Sequence, residues 1–221
     1  MEASKILAHV DHTLLVPAAD WNEITALCDE AILHKTASVC IPSGYVKRVA
    51  EKYGDKLTIC TVIGFPLGYQ PTEIKVAEAK TALRNGASEV DMVINLGDVK
   101  NGDFDLVRAE IAALREAVGE HILKVIIETC YLTQAEKIEL CRCVTEAGAD
   151  YIKTSTGFGT AGATKEDILL FKEHLGPRVK IKASGGIRTA EDMAAYIEMG
   201  CDRLGTSSAI KVLAGEEGTG Y

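Results

Sequence analysis

Short apolar runs rich in β-branched residues alternate with longer amphipathic stretches along almost the whole chain. The short runs have the length and composition of strands. They predict eight strands, at residues 9–13, 38–41, 58–63, 89–95, 123–128, 150–155, 179–184 and 202–206. The longer stretches carry apolar residues at the spacing of an amphipathic helix. They predict helices at residues 20–35, 72–85, 104–118, 133–147, 164–175 and 189–199.

The ends of the predicted helices indicate how the strands connect. Thr133 followed by Glu136 has the spacing of a capping box at one helix start. The segments NGASEVD, AGADYIK and MGCDRLG each place a glycine at a helix end shortly before a strand. Such short connections are typical of a repeating β-α unit with a parallel sheet. We therefore expect an α/β chain closed into a (β/α)8 TIM barrel, a single domain over residues 1–221 with a short glycine-rich tail at about 214–221.

Charged residues occupy one face of several predicted strands. Successive side chains point to opposite faces, and in a barrel one face points into the lumen. The apolar face is expected to contact the helices, which turns six charged residues inward: Glu89, Asp91, Lys124, Lys153, Lys180 and Lys182. Glu89, Lys124 and Lys180 come early in their strands and are expected to form a structural ion-pair layer. Lys153 and Lys182 lie nearer the carboxyl ends, where barrel enzymes carry their chemistry.

Two lysines on adjacent strands in a closed lumen have a specific chemical use. Burial and a neighbouring cation both lower the pKa of a lysine from its usual value of about 10.4. A free amine attacks a carbonyl carbon, so Lys153 is a candidate Schiff-base nucleophile, with Lys182 keeping it deprotonated and Asp91 transferring protons. The structural alternative is that Lys153 pairs with a carboxylate while Lys182 extends toward solvent.

Two glycine- and serine-rich segments follow the last two predicted strands. They are KASGGIRT at 182–189 and LGTSSAI at 204–210, and both end where a helix is expected to start. Loops in these positions commonly bind phosphate in barrels. Gly185 and Gly186 would direct backbone N–H groups at an anion, and Ser207 and Ser208 would add hydroxyl groups. Arg188 is a further phosphate contact or, equally, a surface charge.

Composition excludes several classes of protein. The chain has 221 residues and a formal net charge of -8, without a basic stripe of the kind that binds nucleic acid. No apolar run approaches the ~20 residues that span a membrane. The seven cysteines lack the spacing of zinc or redox pairs, which favours reduced core thiols and a cytoplasmic protein. The five histidines show no metal-binding pattern, so no metal is expected.

The ordered motifs resemble one enzyme family. DHTLL, ASVCI, EVDMVIN, LKVIIET, ADYIKTSTGF, KASGGIRT and LGTSS occur in this order, and the resemblance they carry runs from about residue 6 to residue 213. The set is similar to the deoxyribose-phosphate aldolases, which are class I aldolases. The resemblance implies a (β/α)8 barrel that reversibly cleaves 2-deoxy-D-ribose 5-phosphate to acetaldehyde and D-glyceraldehyde 3-phosphate. It implies no metal or organic cofactor, small phosphorylated sugar and aldehyde partners, and a homo-oligomer, either a dimer or a tetramer.

The resemblance also assigns residues. It makes Lys153 the Schiff-base lysine, Lys182 its partner and Asp91 the proton donor and acceptor. Some members carry a lysine where this chain has Phe158, which leaves the phosphate to neutral donors and Arg188. The resemblance also implies phosphate contacts at Gly157, Gly185, Gly186, Ser207 and Ser208. Residues expected to line the site are Asp11, Thr13 and Thr156. It further implies a thiol near the site, Cys40, and a tyrosine over the barrel mouth, Tyr221.

Three other functions are compatible with parts of the pattern. A different Schiff-base aldolase or transaldolase would keep the lysine pair but use another carbonyl donor. A sugar-phosphate-binding barrel without catalysis would use the lysines only to neutralise its ligand. A metal-dependent aldolase is disfavoured because the histidines are not clustered.

Overall fold

Eight parallel strands close into one barrel in the computed structural model, which describes residues 1–217. Each strand pairs with the next along the chain, and the last pairs with the first. The predicted (β/α)8 barrel is confirmed, and each predicted strand is present within a few residues. The strands are β1 Val10–Thr13, β2 Ser38–Ile41, β3 Ile59–Ile63, β4 Glu89–Val93, β5 Ile122–Ile126, β6 Tyr151–Lys153, β7 Lys180–Ser184 and β8 Arg203–Thr206.

The six predicted helices are also present, and four shorter helices accompany them. The helices are α1 Ala3–Leu7, α2 Trp21–His34, α3 Val46–Tyr53, α4 Thr72–Arg84, α5 Leu96–Asn101, α6 Phe104–Val118, α7 Gln134–Glu146, α8 Lys165–His174, α9 Ala190–Glu198 and α10 Ala209–Leu213. The hydrophobic pattern missed α1, α3, α5 and α10. Each has eight residues or fewer, which is too short to show a clear period of 3.6. Within residues 1–217, none of the helices combines the length and apolar character required to span a bilayer.

The helix ends follow the local chemistry of the sequence. The predicted capping box at α7 is formed, with Thr133 accepting from the backbone N–H of Glu136 and donating its own to that side chain. Gly86, Gly148 and Gly200 adopt φ values of 107°, 74° and 103°. These left-handed conformations suit glycine, and in all three cases a strand starts three residues later. The repeated glycine therefore sets the connection that returns each helix to the barrel.

Alternation along the strands divides the interior into two regions. On β4, Val90 and Met92 face the large apolar core between the barrel and its helices. Glu89 and Asp91 have the opposite parity and are buried inside the barrel. A small second apolar cluster, formed by Leu15, Cys40, Cys60 and Val62 with Phe65 against it, is separate from the large core. The polar lumen predicted from strand parity is thus present.

One lysine assigned to the lumen lies elsewhere. The side chain of Lys180 is 55% exposed, and its Nζ lies 3.7 Å from Asp202 and 5.7 Å from the ring centroid of Tyr151. The prediction that Lys180 belongs to the buried ion-pair layer is wrong. Lys180 is the first residue of β7, at the amino end of the barrel, where a long side chain reaches water at little cost.

Candidate active site

Three lysines converge on one buried aspartate. Asp91 is fully buried on β4, and its Oδ2 accepts hydrogen bonds from Nζ of Lys153 and of Lys182, each at 2.8 Å. Its Oδ1 accepts from Nζ of Lys124 at 2.9 Å. The nitrogens of Lys153 and Lys182 therefore lie within twice 2.8 Å of each other and contact the same carboxylate oxygen. Barrel register explains this proximity, because the two lysines are Cα partners on the neighbouring strands β6 and β7.

The same aspartate is part of a closed ring of alternating charges. Lys182 also donates to Asp11 on β1. Arg203 on β8 joins Asp11 to Glu89, which it contacts at 2.9 Å. Glu89 in turn lies 2.6 Å from Nζ of Lys124. This charge ring consists of Lys124, Glu89, Arg203, Asp11, Lys182 and Asp91.

The charge ring contains three cations and three carboxylates, and Lys153 contacts it from outside through Asp91. Burial opposes a charge on Lys182, but the carboxylates of Asp11 and Asp91 raise its pKa above the usual range. The pKa of Lys124 is raised well above its usual value in the same way. Burial would raise the pKa of Asp91, yet the surrounding ammonium groups hold it well below the usual range. The three cations and three carboxylates of the ring thus balance, and Lys153 contacts the ring as one further lysine.

This balance predicts that one lysine beside the site is essential for stability. Replacing Lys124 by methionine removes the buried ammonium group that both Glu89 and Asp91 contact and so breaks two buried ion pairs. We expect a loss of about 3–5 kcal/mol in the free energy of unfolding, measured by urea denaturation at neutral pH. The matched control is Lys180→Met, since this exposed lysine should change stability by no more than about 0.5 kcal/mol. Equal stabilities of the two variants would contradict the charge ring.

Two thiols occupy the wall of the lumen beside Asp91. Cys60 donates to Oδ1 of Asp91 at 3.2 Å and accepts from Nζ of Lys124 at 3.3 Å. Cys40 is its Cα partner on β2, and both residues are fully buried. The prediction that Cys40 lies near the lysines thus agrees with its position. The two sulfurs and Asp91 come within 4.8 Å of one another, but the ammonium groups around this carboxylate disfavour a cation there.

The turn after β6 is connected to the end of β5. Thr156 donates both its backbone N–H, at 3.1 Å, and its hydroxyl to the carboxylate of Glu128. Its hydroxyl oxygen accepts from the N–H of Phe158 at 2.9 Å. Thr156, predicted to line the site, is therefore fully engaged with protein groups. Ser155, one residue earlier, has a buried Oγ without a partner among the described residues.

The glycines predicted to bind phosphate form two loops in close contact. Gly157, Gly185 and Gly186 have φ values of 89°, 79° and 72°, which suit glycine. A Cβ at Gly162 would overlap the carbonyl of Gly185, and a Cβ at Gly185 would lie 3.7 Å from the Cα of Gly157. Ala163 closes the contact by donating to the carbonyl of Gly185 at 3.1 Å. The loops after β6 and β7 are thus brought together at the carboxyl end of the barrel.

The remaining predicted residues are placed differently from one another. Ser208 is buried, and its backbone N–H donates to Oγ1 of Thr206 at 3.2 Å. Ser207 lines a groove with Thr13, whose hydroxyl donates to the carbonyl of Asp11 at 2.7 Å. Arg188 is exposed and borders a different groove, next to Glu191 and Glu216, which favours its alternative role as a surface charge. Tyr221 lies outside the described residues, so its role stays a prediction.

Comparison with known protein families identifies the family to which this chain belongs. A family model described as "DeoC/LacD family aldolase" matches residues 5–215. The chain belongs to the DeoC/LacD aldolase family. The aldolase family predicted from the motifs is thereby confirmed.

Individual members of the DeoC/LacD family match over their full length. The deoxyribose-phosphate aldolase of Clostridium botulinum (strain Alaska E43 / Type E3) is 64% identical, with 100% of both chains covered. That of Clostridioides difficile (strain 630) is 56% identical, with 98% of this chain and 99% of the relative covered. A solved tetrameric deoxyribose phosphate aldolase from Aeropyrum pernix has a TM-score of 0.88 at 31% identity, with 97% and 92% covered.

Several residues around this DeoC/LacD site were not predicted from the sequence. Arg203 has the inward parity of β8, and applying the strand rule to that strand would have found it. The direct contact of Lys124 with Asp91 depends on the register between β4 and β5, which pairs these two residues. Strand parity places Glu128 inward, but its contact with Thr156 had no sequence signal, because Glu128 follows the end of β5 in a left-handed conformation, with φ of 53°.

Proposed function

We propose that this chain is a class I aldolase that reversibly cleaves 2-deoxy-D-ribose 5-phosphate to acetaldehyde and D-glyceraldehyde 3-phosphate through a Schiff base at Lys153. The observation that carries the assignment is the position of Lys153, which contacts Asp91 as a cation outside a balanced charge ring. Membership of the DeoC/LacD family supports the reaction, and the names of the relatives support the substrate. The reaction requires neither a metal nor an organic cofactor.

The first half of the reaction forms a carbon–nitrogen bond. The unprotonated amine of Lys153 attacks the aldehyde carbon of the open-chain sugar, and the carbonyl oxygen takes up a proton to give a carbinolamine. Loss of water then leaves an iminium ion. Asp91 and Lys182 lie beside the reacting nitrogen, and the Oδ2 atom that both lysines share offers a short path for the protons.

The second half breaks a carbon–carbon bond. The C3 hydroxyl group loses its proton and becomes the aldehyde of glyceraldehyde 3-phosphate, while the C2–C3 bonding electrons move into the iminium group to form an enamine. A proton returned to C2 and hydrolysis of the iminium ion release acetaldehyde and the free lysine. The buried charge ring is ionised before the reaction starts, so its field is already in place when Lys153 reacts.

The phosphate is the part of the substrate that the glycine loops are proposed to bind. Gly157, Gly185 and Gly186 offer backbone N–H groups, and Ser207 and Ser208 lie on the neighbouring loop after β8. Thr13 and Asp11 stand on the adjacent β1. Since Arg188 extends over the outer surface, neutral donors are proposed to provide most of the binding.

Trapping with borohydride tests the proposed function directly. Acetaldehyde and borohydride together should add one reduced two-carbon group to Lys153, identified by peptide mass, with loss of activity in proportion. A non-catalytic sugar-phosphate-binding barrel would gain no adduct. Dihydroxyacetone phosphate and pyruvate serve as comparison donors, because an adduct formed faster with either one indicates a different Schiff-base aldolase or a transaldolase. Activity lost in EDTA would instead favour a metal-dependent aldolase.

Assembly and location complete the proposal. We infer a homo-oligomer, supported by the tetrameric relative from Aeropyrum pernix, with light scattering as the test. A cytoplasmic location is supported by the seven cysteines, all of which are free thiols, including the neighbouring pair Cys40 and Cys60.

A further inference from the structure

Glu128 is a buried carboxylate at an unusual backbone position. It follows β5 with φ of 53°, a conformation that few residues other than glycine adopt, and it is only 3% exposed. Backbone pairing continues on both sides of it, from the N–H of Ile127 to Lys153 at 3.1 Å and from the N–H of Thr129 to Thr154 at 2.9 Å. These two backbone bonds, to Lys153 at the end of β6 and to Thr154 directly after it, hold Glu128 in place. The direction of the Glu128 side chain is therefore set by the backbone.

The carboxylate of Glu128 holds the turn that follows the Schiff-base lysine. It accepts the backbone N–H of Thr156 at 3.1 Å and also the Thr156 hydroxyl. The same hydroxyl accepts the N–H of Phe158 at 2.9 Å, and the Phe158 ring meets Phe65 edge to face at 5.4 Å. This chain of bonds fixes both residues around Gly157, whose Cα would lie 3.7 Å from a Cβ at Gly185.

The surroundings of Glu128 accommodate a carboxylate but do not neutralise it. A Cβ at Gly159 would lie 3.2 Å from the Glu128 carboxylate and 2.8 Å from the sulfur of Cys130, so glycine is needed there. Burial raises the pKa of Glu128, while the bonds from Thr156 and the more distant charge of Lys153 oppose that effect. No ion pair joins Glu128 to another residue within 1–217. Holding the turn is therefore the interaction that offsets the cost of burial.

We propose that Glu128 is a positioning residue that shapes the turn at 156–158 to receive the phosphate of the substrate, and so sets the preference for phosphorylated over unphosphorylated sugars. The inference rests on the proposed function and extends it to the selection of substrate. Glu128 does not contact the reacting nitrogen of Lys153 within ion-pair distance, so acetaldehyde should still form its Schiff base when the turn is disordered. Binding of the phosphorylated half should be lost.

Two substitutions at Glu128 distinguish the effect of side-chain length from the effect of the negative charge. Asparagine tolerates the left-handed conformation but is one methylene group too short to reach Thr156. Glutamine keeps the reach and an accepting oxygen while removing the charge. For Glu128→Asn we expect the KM for 2-deoxyribose 5-phosphate to rise roughly tenfold to a hundredfold, as expected when the two hydrogen bonds from Thr156 are both lost. Glu128→Gln should restore most of this loss.

The comparison is made on kcat and KM for 2-deoxyribose 5-phosphate and for unphosphorylated 2-deoxyribose. For Glu128→Asn, kcat/KM with the unphosphorylated sugar should stay within about threefold of wild type, as should the rate of borohydride-trapped acetaldehyde adduct formation. Equal losses with both sugars, or no loss with either, would overturn the positioning role. Absence of the acetaldehyde adduct in the wild-type protein would instead overturn the proposed function, so the two failures are distinguishable.

A second variant and a control guard against misfolding. Thr156→Val removes the hydroxyl and keeps the backbone N–H and the shape of the side chain. It should therefore lower the ratio of kcat/KM for 2-deoxyribose 5-phosphate to kcat/KM for 2-deoxyribose, as Glu128→Asn does. An unchanged ratio in a folded Thr156→Val protein also counts against the proposal. Glu110→Gln is the matched control, because Glu110 on α6 is a buried carboxylate that pairs at 2.8 Å with Lys75 on α4, among the outer helices. It should lower the melting temperature without changing the ratio.

Discussion

We expect the Lys153→Leu variant to lose turnover by a factor on the order of 10⁵ to 10⁶, the scale of removing a covalent nucleophile. Leucine cannot form a Schiff base, and the ring lysines cannot replace it because Asp11, Glu89 and Asp91 keep them charged. The loss is measured as kcat for cleavage of 2-deoxyribose 5-phosphate. Trapping with acetaldehyde and borohydride should give no adduct at position 153.

The same variant should fold as well as the wild-type protein. Lys153 contributes a cation beyond those that balance the ring, so an apolar side chain of similar volume leaves no carboxylate of the ring unpaired. Urea denaturation should give a free energy of unfolding equal to or above that of wild type. Residual turnover above about one part in a thousand, or an adduct on another lysine, would contradict the assignment of the nucleophile.

Lys182→Leu should act mainly through pH. Without Lys182, Oδ2 of Asp91 loses its second ammonium group, and the like charge that stood beside the Lys153 nitrogen is gone. The amine should therefore become reactive at a higher pH. We expect the rising limb of the pH–rate profile to move by roughly one to two units toward alkaline pH, with neutral activity reduced roughly 10- to 100-fold.

The measurement is kcat against pH from about 6 to 10, with partial recovery at the alkaline end. In the wild-type protein Lys182 stays charged over this range, because its pKa is raised by Asp11 and Asp91. Lys180→Leu is the control, since this exposed lysine on the same strand should leave the profile in place. If the rising limb of the Lys182→Leu profile does not move, the electrostatic effect of Lys182 on the Lys153 amine is contradicted. The assignment of the chain as an aldolase would not be affected by that result.

The charge ring also changes the interpretation of the lysine pair. From the sequence, Lys153 is predicted to be the nucleophile and Lys182 the cation that keeps it deprotonated, but crowding alone would disfavour the charge on either lysine. The structure distinguishes them, because Lys182 forms ion pairs with both Asp11 and Asp91, whereas Asp91 is the single ion-pair partner of Lys153 within residues 1–217. The cation that the ring does not need is the one predicted to lose its proton. Asp91, being held ionised, accepts hydrogen bonds in this state and takes part in proton transfer as a base.

The sequence by itself determined the barrel and the layer of its lumen. Strand and helix periods, glycines at helix ends and strand parity are local properties, and each depends on residues only a few positions apart. They were sufficient for eight strands, six helices and the inward direction of Lys153, Lys182 and Asp91. The ordered motifs added the family, since similar residues at similar positions carry similar chemistry.

The tertiary structure alone decided how the charges pair. The bonds of Asp11 to Lys182 and of Glu128 to Thr156 join residues 171 and 28 positions apart, and they depend on how the barrel closes and where β5 ends. The exposure of Lys180 likewise depends on its height at the barrel rim rather than on its parity. Coulomb energy in a buried site changes steeply over a few ångströms, so the protonation of each lysine follows from distances that local sequence patterns do not contain.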